Sequence, residues 1–373
     1  MTRTQVTLLT VGDPQRVTGG YLFHRRLADR AQRLGADVTF VSIPDLPLAW
    51  AIATGPRWLR TAAMRTGDVL VLDSIAAAPA APWLGRIAAP VVGMLHQPLG
   101  GMDAHRLGRA VRVPFDRRAY RACSVLMVAS DWLAQQLAGA GLERARLRVV
   151  PPGKDLDAVG SRARDVEPNQ GAAFRNGRLI AALCVANWLP RKGVLELLDA
   201  VARLPDEVVT LHLVGDTATQ GRYADAVRKR IKSGELRDRV VVHGVIPPQA
   251  VERMYRTVDV FVLPSFEEPY GTVWGEAMAA GLPVIGWRAG NLPFLADHGT
   301  EGLLAPVGDV PTLASFIDRT ARDATLRASM AGAAARRAEA RPTWDATAER
   351  FFTIIDEVLT AHRGPGRTVP RGR

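Results

Sequence analysis

The stretch from Val260 to Trp287, VFVLPSFEEPYGTVWGEAMAAGLPVIGW, constrains the fold more than any other part of the chain. Val260 to Leu263 is a short apolar run of the kind a parallel strand shows when both its faces are covered. Pro264-Ser265 stops it. Phe266 to Gly271 forms a loop with adjacent carboxylates, Glu267 and Glu268. Gly271 permits close approach of the backbone to a ligand. Thr272 to Ala280 has helical spacing and closes on Gly281, a C-terminal signal. Leu282-Pro283-Val284-Ile285 opens the next strand. Strand, loop, helix and strand in this order belong to an α/β fold with a parallel sheet.

The same layout implies chemistry. A loop leading from a strand into a helix N-terminus presents unpaired backbone N–H groups and the positive end of the helix dipole, which favour a phosphate. Glu268 lies in that loop, and Glu276 lies about one turn into the helix. Both carboxylates can accept bonds from hydroxyl groups. A phosphate and a set of hydroxyls together describe a nucleotide sugar.

The rest of the chain repeats the pattern. Val6 to Val11 reads as a first strand, followed by a loop ending in Gly19-Gly20, a helix from Tyr21 to Leu34 carrying His24, and a strand from Ala36 to Ile43. This is a doubly wound opening. Ala49 to Met64 reads as one helix, Asp68 to Asp73 as a strand, and Pro90 to His96 as another. That places His96 at a strand's C-terminal end, the ligand edge of an open sheet. Residues 104–121 are dense in arginine, with Arg106, Arg109 and Arg112 near one face of a helix. The simpler reading is a solvated face; the alternative is contact with an anionic membrane or acceptor. Residues 154–177 are polar and read as a linker. Leu179 to Ala186 then starts a second strand series, with Arg191-Lys192-Gly193 after its first strand.

The 373 residues suggest two domains. A formal net charge of +11 admits nucleic acid, an anionic membrane or anionic substrates as partners. No interleaved aromatic–basic platform or known reader motif supports specific nucleic-acid binding, and no G-x-G-x-x-G follows the first strand, as a NAD enzyme would need. Cys123 and Cys184 lie in apolar strand-like runs and read as buried thiols. No apolar run reaches membrane-spanning length, so a cytoplasmic protein is expected, with the inner membrane face as a further place for a basic first domain.

Glu268, Tyr270-Gly271 and Glu276-Ala277-Met278-Ala279-Ala280-Gly281-Leu282-Pro283-Val284 resemble the E-x7-E signature of retaining GT-B glycosyltransferases of family four. Further likeness lies in Val149-Val150-Pro151-Pro152-Gly153, in Lys192-Gly193, in Gly215-Asp216, and in Gly302-Leu303-Leu304 with Asp309. The chain departs from the family at Pro152, where an asparagine is usual, at Asn187, where an arginine is usual, and at Phe294, where a glutamate is usual. The resemblance implies a GT-B fold, two Rossmann-like doubly wound domains facing a central cleft. Residues 1–165 would form the acceptor domain and 175–342 the nucleotide-sugar domain. Residues 343–362 would be a helix crossing back, and 363–373 a disordered tail. It implies transfer of a hexose from a UDP- or GDP-hexose to a hydroxyl acceptor with retention, with no cofactor and no metal. Glu268, Lys192 and His96 would be catalytic. Gly19, Gly20, Arg191, Lys192, Val245, Tyr270, Gly271, Thr272 and Glu276 would bind the donor. Lys192 and Arg191 would meet the diphosphate, whose developing charge needs preorganised cations. Glu276 would take the ribose, Glu268 the transferred sugar, and the backbone at Val245 the base. A non-catalytic sugar-nucleotide-binding protein and a GT-B epimerase are the alternatives.

Overall fold

A computed structural model of the chain describes residues 3–15, 19–102, 106–154, 168–218 and 221–363. The chain forms two compact units: one built from residues 1–153 and 342–373, the other from 154–341.

The first unit holds a six-stranded sheet of β1 (Thr4–Val11), β2 (Ala36–Ile43), β3 (Val69–Asp73), β4 (Val91–Leu95), β5 (Val125–Val128) and β6 (Leu147–Val149) in the order β2-β1-β3-β4-β5-β6. Neighbouring strands are parallel throughout; β1 and β2 register from Thr4 opposite Ala36 to Val11 opposite Ile43. β3 and β4 are buried along their whole lengths, as parallel strands with covered faces must be. One face is covered by the helix Gly19–Ala31 and by the last helix, Trp344–Arg363, whose Phe351, Ile355 and Leu359 join Leu8, Phe23 and Leu27 in one core. The other face packs against helices that include Arg106–Ala122 and Asp131–Gly139.

The second unit holds β7 (Ile180–Val185), β8 (Val209–Val214), β9 (Val240–Gly244), β10 (Val260–Val262), β11 (Val284–Trp287) and β12 (Gly302–Ala305) in the order β12-β11-β10-β7-β8-β9, again all parallel. Its core includes fully buried Trp274 and Trp287. Chain order reverses between β7 and β10 here, and between β1 and β3 in the first unit. At such switch points the loops after adjacent strands diverge and leave room for a ligand.

Two expectations are corrected. Residues 49–64 are not one helix but three short ones, Leu48–Ala53, Gly55–Trp58 and Ala62–Thr66. Gly55-Pro56 explains the first break, since proline offers no N–H to continue a helix but suits its first turn. Within the supposed linker, Pro168–Arg175 is a helix. It was hidden by its polar composition, because it is anchored electrostatically: the Arg175 guanidinium donates to both Asp259 oxygens at 2.9 and 2.6 Å. Residues 155–167 and the expected disordered tail from 364 onward lie outside the described residues. Both cysteines are buried and unpaired, and burial pushes each thiol up to about 12.

Candidate functional site

In the second unit the predicted residues gather at the switch point. The loop after β7 ends in a 3₁₀ turn, Pro190–Lys192, and β10 is followed by the Pro264–Gly271 loop. The two loops are stitched together: Phe266 N and Ser265 Oγ both donate to Arg191 O, at 2.8 and 2.9 Å. This brings Lys192 Nζ into a charged hydrogen bond with Glu268, and Arg191 Nη1 to 3.7 Å from the same carboxylate oxygen. All three side chains are largely shielded from solvent. Two cations and one carboxylate thus share a small patch at the C-terminal edge of neighbouring strands.

The Glu268 segment is pinned from the other side as well. Asn291 N donates to Glu268 O at 2.9 Å, and Asn291 Nδ2 donates to Tyr270 O at 2.8 Å. Gly271, at φ +81°, adopts the left-handed conformation that turns the chain into the helix Thr272–Ala279. A Cβ there would strike the ring of buried Trp274. Thr272 is the first residue of that helix and is exposed; Glu276 follows one turn later, also exposed, and accepts from Tyr255 Oη at 3.1 Å.

Sequence reasoning missed Arg341. Its guanidinium donates to Tyr270 Oη and lies over the Tyr270 ring at 5.5 Å. It passes so close to the helix that a Cβ on Gly275 would land on it. Burial pushes the Tyr270 phenol above its ordinary range, while Arg341 pulls it down. The only sequence signal was a glycine, Gly275, in a helix interior that propensity disfavours. Val245 follows β9 and is 77% exposed.

In the first unit, Gly20 and His96 come together: a Cβ on Gly20 would stand 3.5 Å from His96 Cδ2. Gly19 opens the helix Gly19–Ala31. The amide of His96 donates to Ser74 Oγ at 3.2 Å, and its ring meets Phe23 edge-on at 4.9 Å and His24 at 5.0 Å. Behind it, His24 Nε2 lies 3.1 Å from Asp73 Oδ2, which also accepts from Thr10 Oγ1 at 2.8 Å. Burial pushes the Asp73 carboxyl up, but His24 foremost, then His96 and Thr10, outweigh it and hold the group at about 2. Burial chiefly, with the His24 charge, depresses His96 to about 3. His24, Asp73 and His96 each offer a ligand atom within 4.8 Å of the others, the one metal-compatible set among the described residues. Thr10 Oγ1 donates to Asp73 and His24 Nε2 faces it, while His96 Nε2 is buried with no hydrogen-bond partner among the described residues.

The arginine-rich helix differs from a simple solvated face. Arg109 and Arg112 are half-buried and donate to Met102 O at 3.0 Å and Ile75 O at 3.4 Å. The exposed positions near them are instead Leu107 and Val111. The Arg106 side chain lies outside the described residues.

Two family descriptions match the chain, "Glycosyltransferase Family 4" over residues 3–158 and "Glycosyl transferases group 1" over residues 180–323. The chain belongs to the family 4, group 1 glycosyltransferases. Among this family's curated members it is 31% identical over 252 residues to a D-inositol 3-phosphate glycosyltransferase of Corynebacterium jeikeium, covering 64% of this chain and 59% of that one. It is 31% identical over 230 residues to a 2-deoxystreptamine N-acetyl-D-glucosaminyltransferase of Streptomyces fradiae, covering 58% and 51%. The chain therefore matches little more than half the length of these relatives. Among solved structures, the sucrose-phosphate synthase of Thermosynechococcus elongatus aligns with TM-score 0.82 at 21% identity, covering 96% of this chain and all of that one. Anabaena HepE in complex with UDP and glucose aligns with TM-score 0.76 at 21% identity, covering 95% and 100%. At this identity the likeness establishes the fold, which is GT-B. Two of this family member's departures, Asn187 and Phe294, have local roles. Asn187 Oδ1 accepts from Asp216 N at 2.9 Å, tying the end of β7 to the end of β8. Phe294 sits in the short helix Leu292–Leu295 and receives a bond from Arg337 on its carbonyl, at 3.5 Å.

Proposed function

We propose that the protein is a retaining, metal-independent hexosyltransferase that moves a sugar from a nucleoside diphosphate hexose to a hydroxyl acceptor. One observation carries this reading: Lys192 and Arg191 converge on Glu268 beside the glycine-turned entry to the helix that bears Glu276. Before donor binds, the Glu268 carboxylate holds the cations in place. With donor present, Lys192 and Arg191 turn to the diphosphate and neutralise the charge that develops as the C1–O bond breaks. The N–H groups at Gly271 and Thr272 receive phosphate oxygens. Glu276 receives the ribose hydroxyls, and the backbone at Val245 lies under the base. Glu268 holds the sugar and steadies positive charge at its anomeric carbon. The acceptor oxygen attacks from the face the diphosphate leaves, and the departing phosphate oxygen takes the acceptor's proton. The products are a glycoside and a nucleoside diphosphate. No carboxylate nucleophile is required, unlike in a retaining hydrolase. In the first unit, the backbone at Gly19 and Gly20 would approach the donor pyrophosphate or the acceptor, and His96 beside Gly20 would line the sugar or acceptor pocket.

The relatives' names guide the choice of substrates. UDP and glucose accompany the Anabaena structure, and the two curated relatives are named for inositol 3-phosphate and 2-deoxystreptamine. UDP-hexoses with a panel of cyclitols and aminocyclitols are therefore the first donors and acceptors to test, with GDP-hexoses alongside. The experiment is a thermal-shift screen of UDP, GDP and ADP and their hexoses, followed by transfer assays with the donor that binds. Saturating ligand should raise apparent stability by about 3 kcal/mol at a hundredfold excess over Kd. A shift with one nucleotide that disappears in Glu276→Ala, together with acceptor-dependent turnover, supports the reading. Donor loss without an acceptor product would point to an epimerase, and no binding at all would overturn the assignment.

A further inference from the structure

The helix Pro248–Thr257 joins β9 to β10 and carries a polar group that its packing does not need. Tyr255 is only 4% exposed, and its ring lies against Phe261 with centroids 5.8 Å apart. A phenylalanine would fill the same space. The hydroxyl is what a phenylalanine would lack, and it donates to Glu276 Oε2 at 3.1 Å. Glu276 itself is exposed, and an exposed glutamate with three rotatable bonds pays a rotamer entropy cost whenever a ligand fixes it.

We propose that Tyr255 is a positioning residue that holds the Glu276 carboxylate ready for the donor's ribose hydroxyls and so sets the preference for ribo- over deoxyribonucleotides. This rests on the ribose role proposed above for Glu276. The geometry suits it in three ways. The anchor is rigid, because the ring is enclosed and the helix is held at its far end by β10, whose first residue Val260 is fully buried. The anchor is a donor in all conditions, because burial and the neighbouring Glu276 push the phenol well above its ordinary range. A carboxylate has about four lone-pair sites, so the phenol does not by itself exhaust its capacity to accept ribose hydroxyls. The same helix follows directly on the Val245–Pro247 segment assigned to the base. A ten-residue helix is a rod of about 15 Å, so base and ribose contacts would be carried on one rigid element.

The test is calorimetric titration of UDP and 2′-deoxy-UDP, with GDP and ADP and their 2′-deoxy forms alongside, into the wild type, Tyr255→Phe, Glu276→Gln and the double variant. The wild type should prefer the ribonucleotide, and Glu276→Gln should lose most of that preference. Tyr255→Phe should weaken ribonucleotide binding about three- to tenfold, the range of one hydrogen bond to a charged group partly open to water, and leave the deoxy form nearly unchanged. The double variant should be no worse than Glu276→Gln. In turnover, Tyr255→Phe should raise donor KM by the same factor with kcat within about twofold, since the ribose is remote from the breaking bond. Removing the hydroxyl leaves an exposed carboxylate to water, so the melting temperature should stay within a few degrees of wild type. Full ribose preference in Tyr255→Phe, where Glu276→Gln has lost it, overturns the role of Tyr255 alone. Retained preference in Glu276→Gln overturns the ribose role beneath it, and binding of no nucleotide overturns both.

Discussion

Replacing His96 by glutamine should remove a specific part of the chain's acid sensitivity. Burial chiefly, reinforced by the His24 charge, holds His96 at about 3 in the folded protein against 6.5 for the free side chain. Between those values the unfolded chain binds one more proton than the native one at this site. Stability from His96 is therefore complete above pH 6.5 and is lost as pH falls toward 3. The limiting slope is about 1.4 kcal/mol per pH unit, or roughly 2 kcal/mol between pH 6.5 and 5. Part of the ring surface remains accessible, so we take about 1 kcal/mol, equivalent to a melting shift of about 2–4 °C for a unit of this size. The groups facing it are His24 and Asp73. Asp73 is held at about 2 and titrates below this window. The assay is thermal melting of wild type and His96→Gln at pH 7 and pH 5. The wild type should lose about 2–4 °C more than the variant on acidification. Only this difference is read, because glutamine also forfeits the ring contact with Phe23 at both pH values. An equal acid-induced drop in the two proteins would refute the argument that a neutral, largely desolvated imidazole sits at this edge.

Three further outcomes follow from the second unit. Gly271→Ala forces a side chain into the left-handed region and onto the Trp274 ring, so it should cost about 2–4 kcal/mol and abolish nucleotide-induced thermal shifts. Arg341→Met removes the charged bond to Tyr270; donor KM should rise several-fold by steady-state kinetics, while Arg341→Lys should recover only part, because one ammonium cannot both donate to the hydroxyl and cover the ring. Extensive dialysis against EDTA should leave transfer rates within about twofold, because the cations proposed for the leaving diphosphate are Lys192 and Arg191.

Much of the architecture was readable from the chain because covered parallel strands leave an unmistakable mark. Runs such as V-L-V-L-D and V-V-G-M-L are continuous apolar stretches with turn signals at both ends, and both became fully buried strands. The Glu268–Glu276 spacing was equally plain, since loop and helix are contiguous in sequence. What escaped notice depends on partners far away in the chain. The helix Pro168–Arg175 is anchored by an ion pair 84 residues distant, so local composition gave a linker. Arg341 lies 71 residues from the tyrosine it holds, in a stretch crowded with other arginines. Arg109 and Arg112 looked solvated because charge is usually outside; carbonyls at Met102 and Ile75 draw them inward instead. His24 and Asp73 each read as ordinary members of a helix and a strand, and only the parallel pairing of β1 with β3 puts them side by side.

The first unit is assembled from both ends of the chain, with the second lying wholly between them in sequence. During synthesis, Leu8, Phe23 and Leu27 leave the ribosome long before Phe351 and Ile355, which complete their core. Roughly two hundred residues separate the last strand of that sheet from the helix that covers it, some 10–40 s at ordinary elongation rates. The second unit has no such wait, because all its strands and its own core are contiguous in sequence. The domain made first is thus the one finished last. Through that interval the part of the apolar sheet face that the last helix covers stands open, which makes the nascent chain a natural client for chaperones and makes truncation before Trp344 more damaging than its place outside the unit that holds Glu268 would suggest.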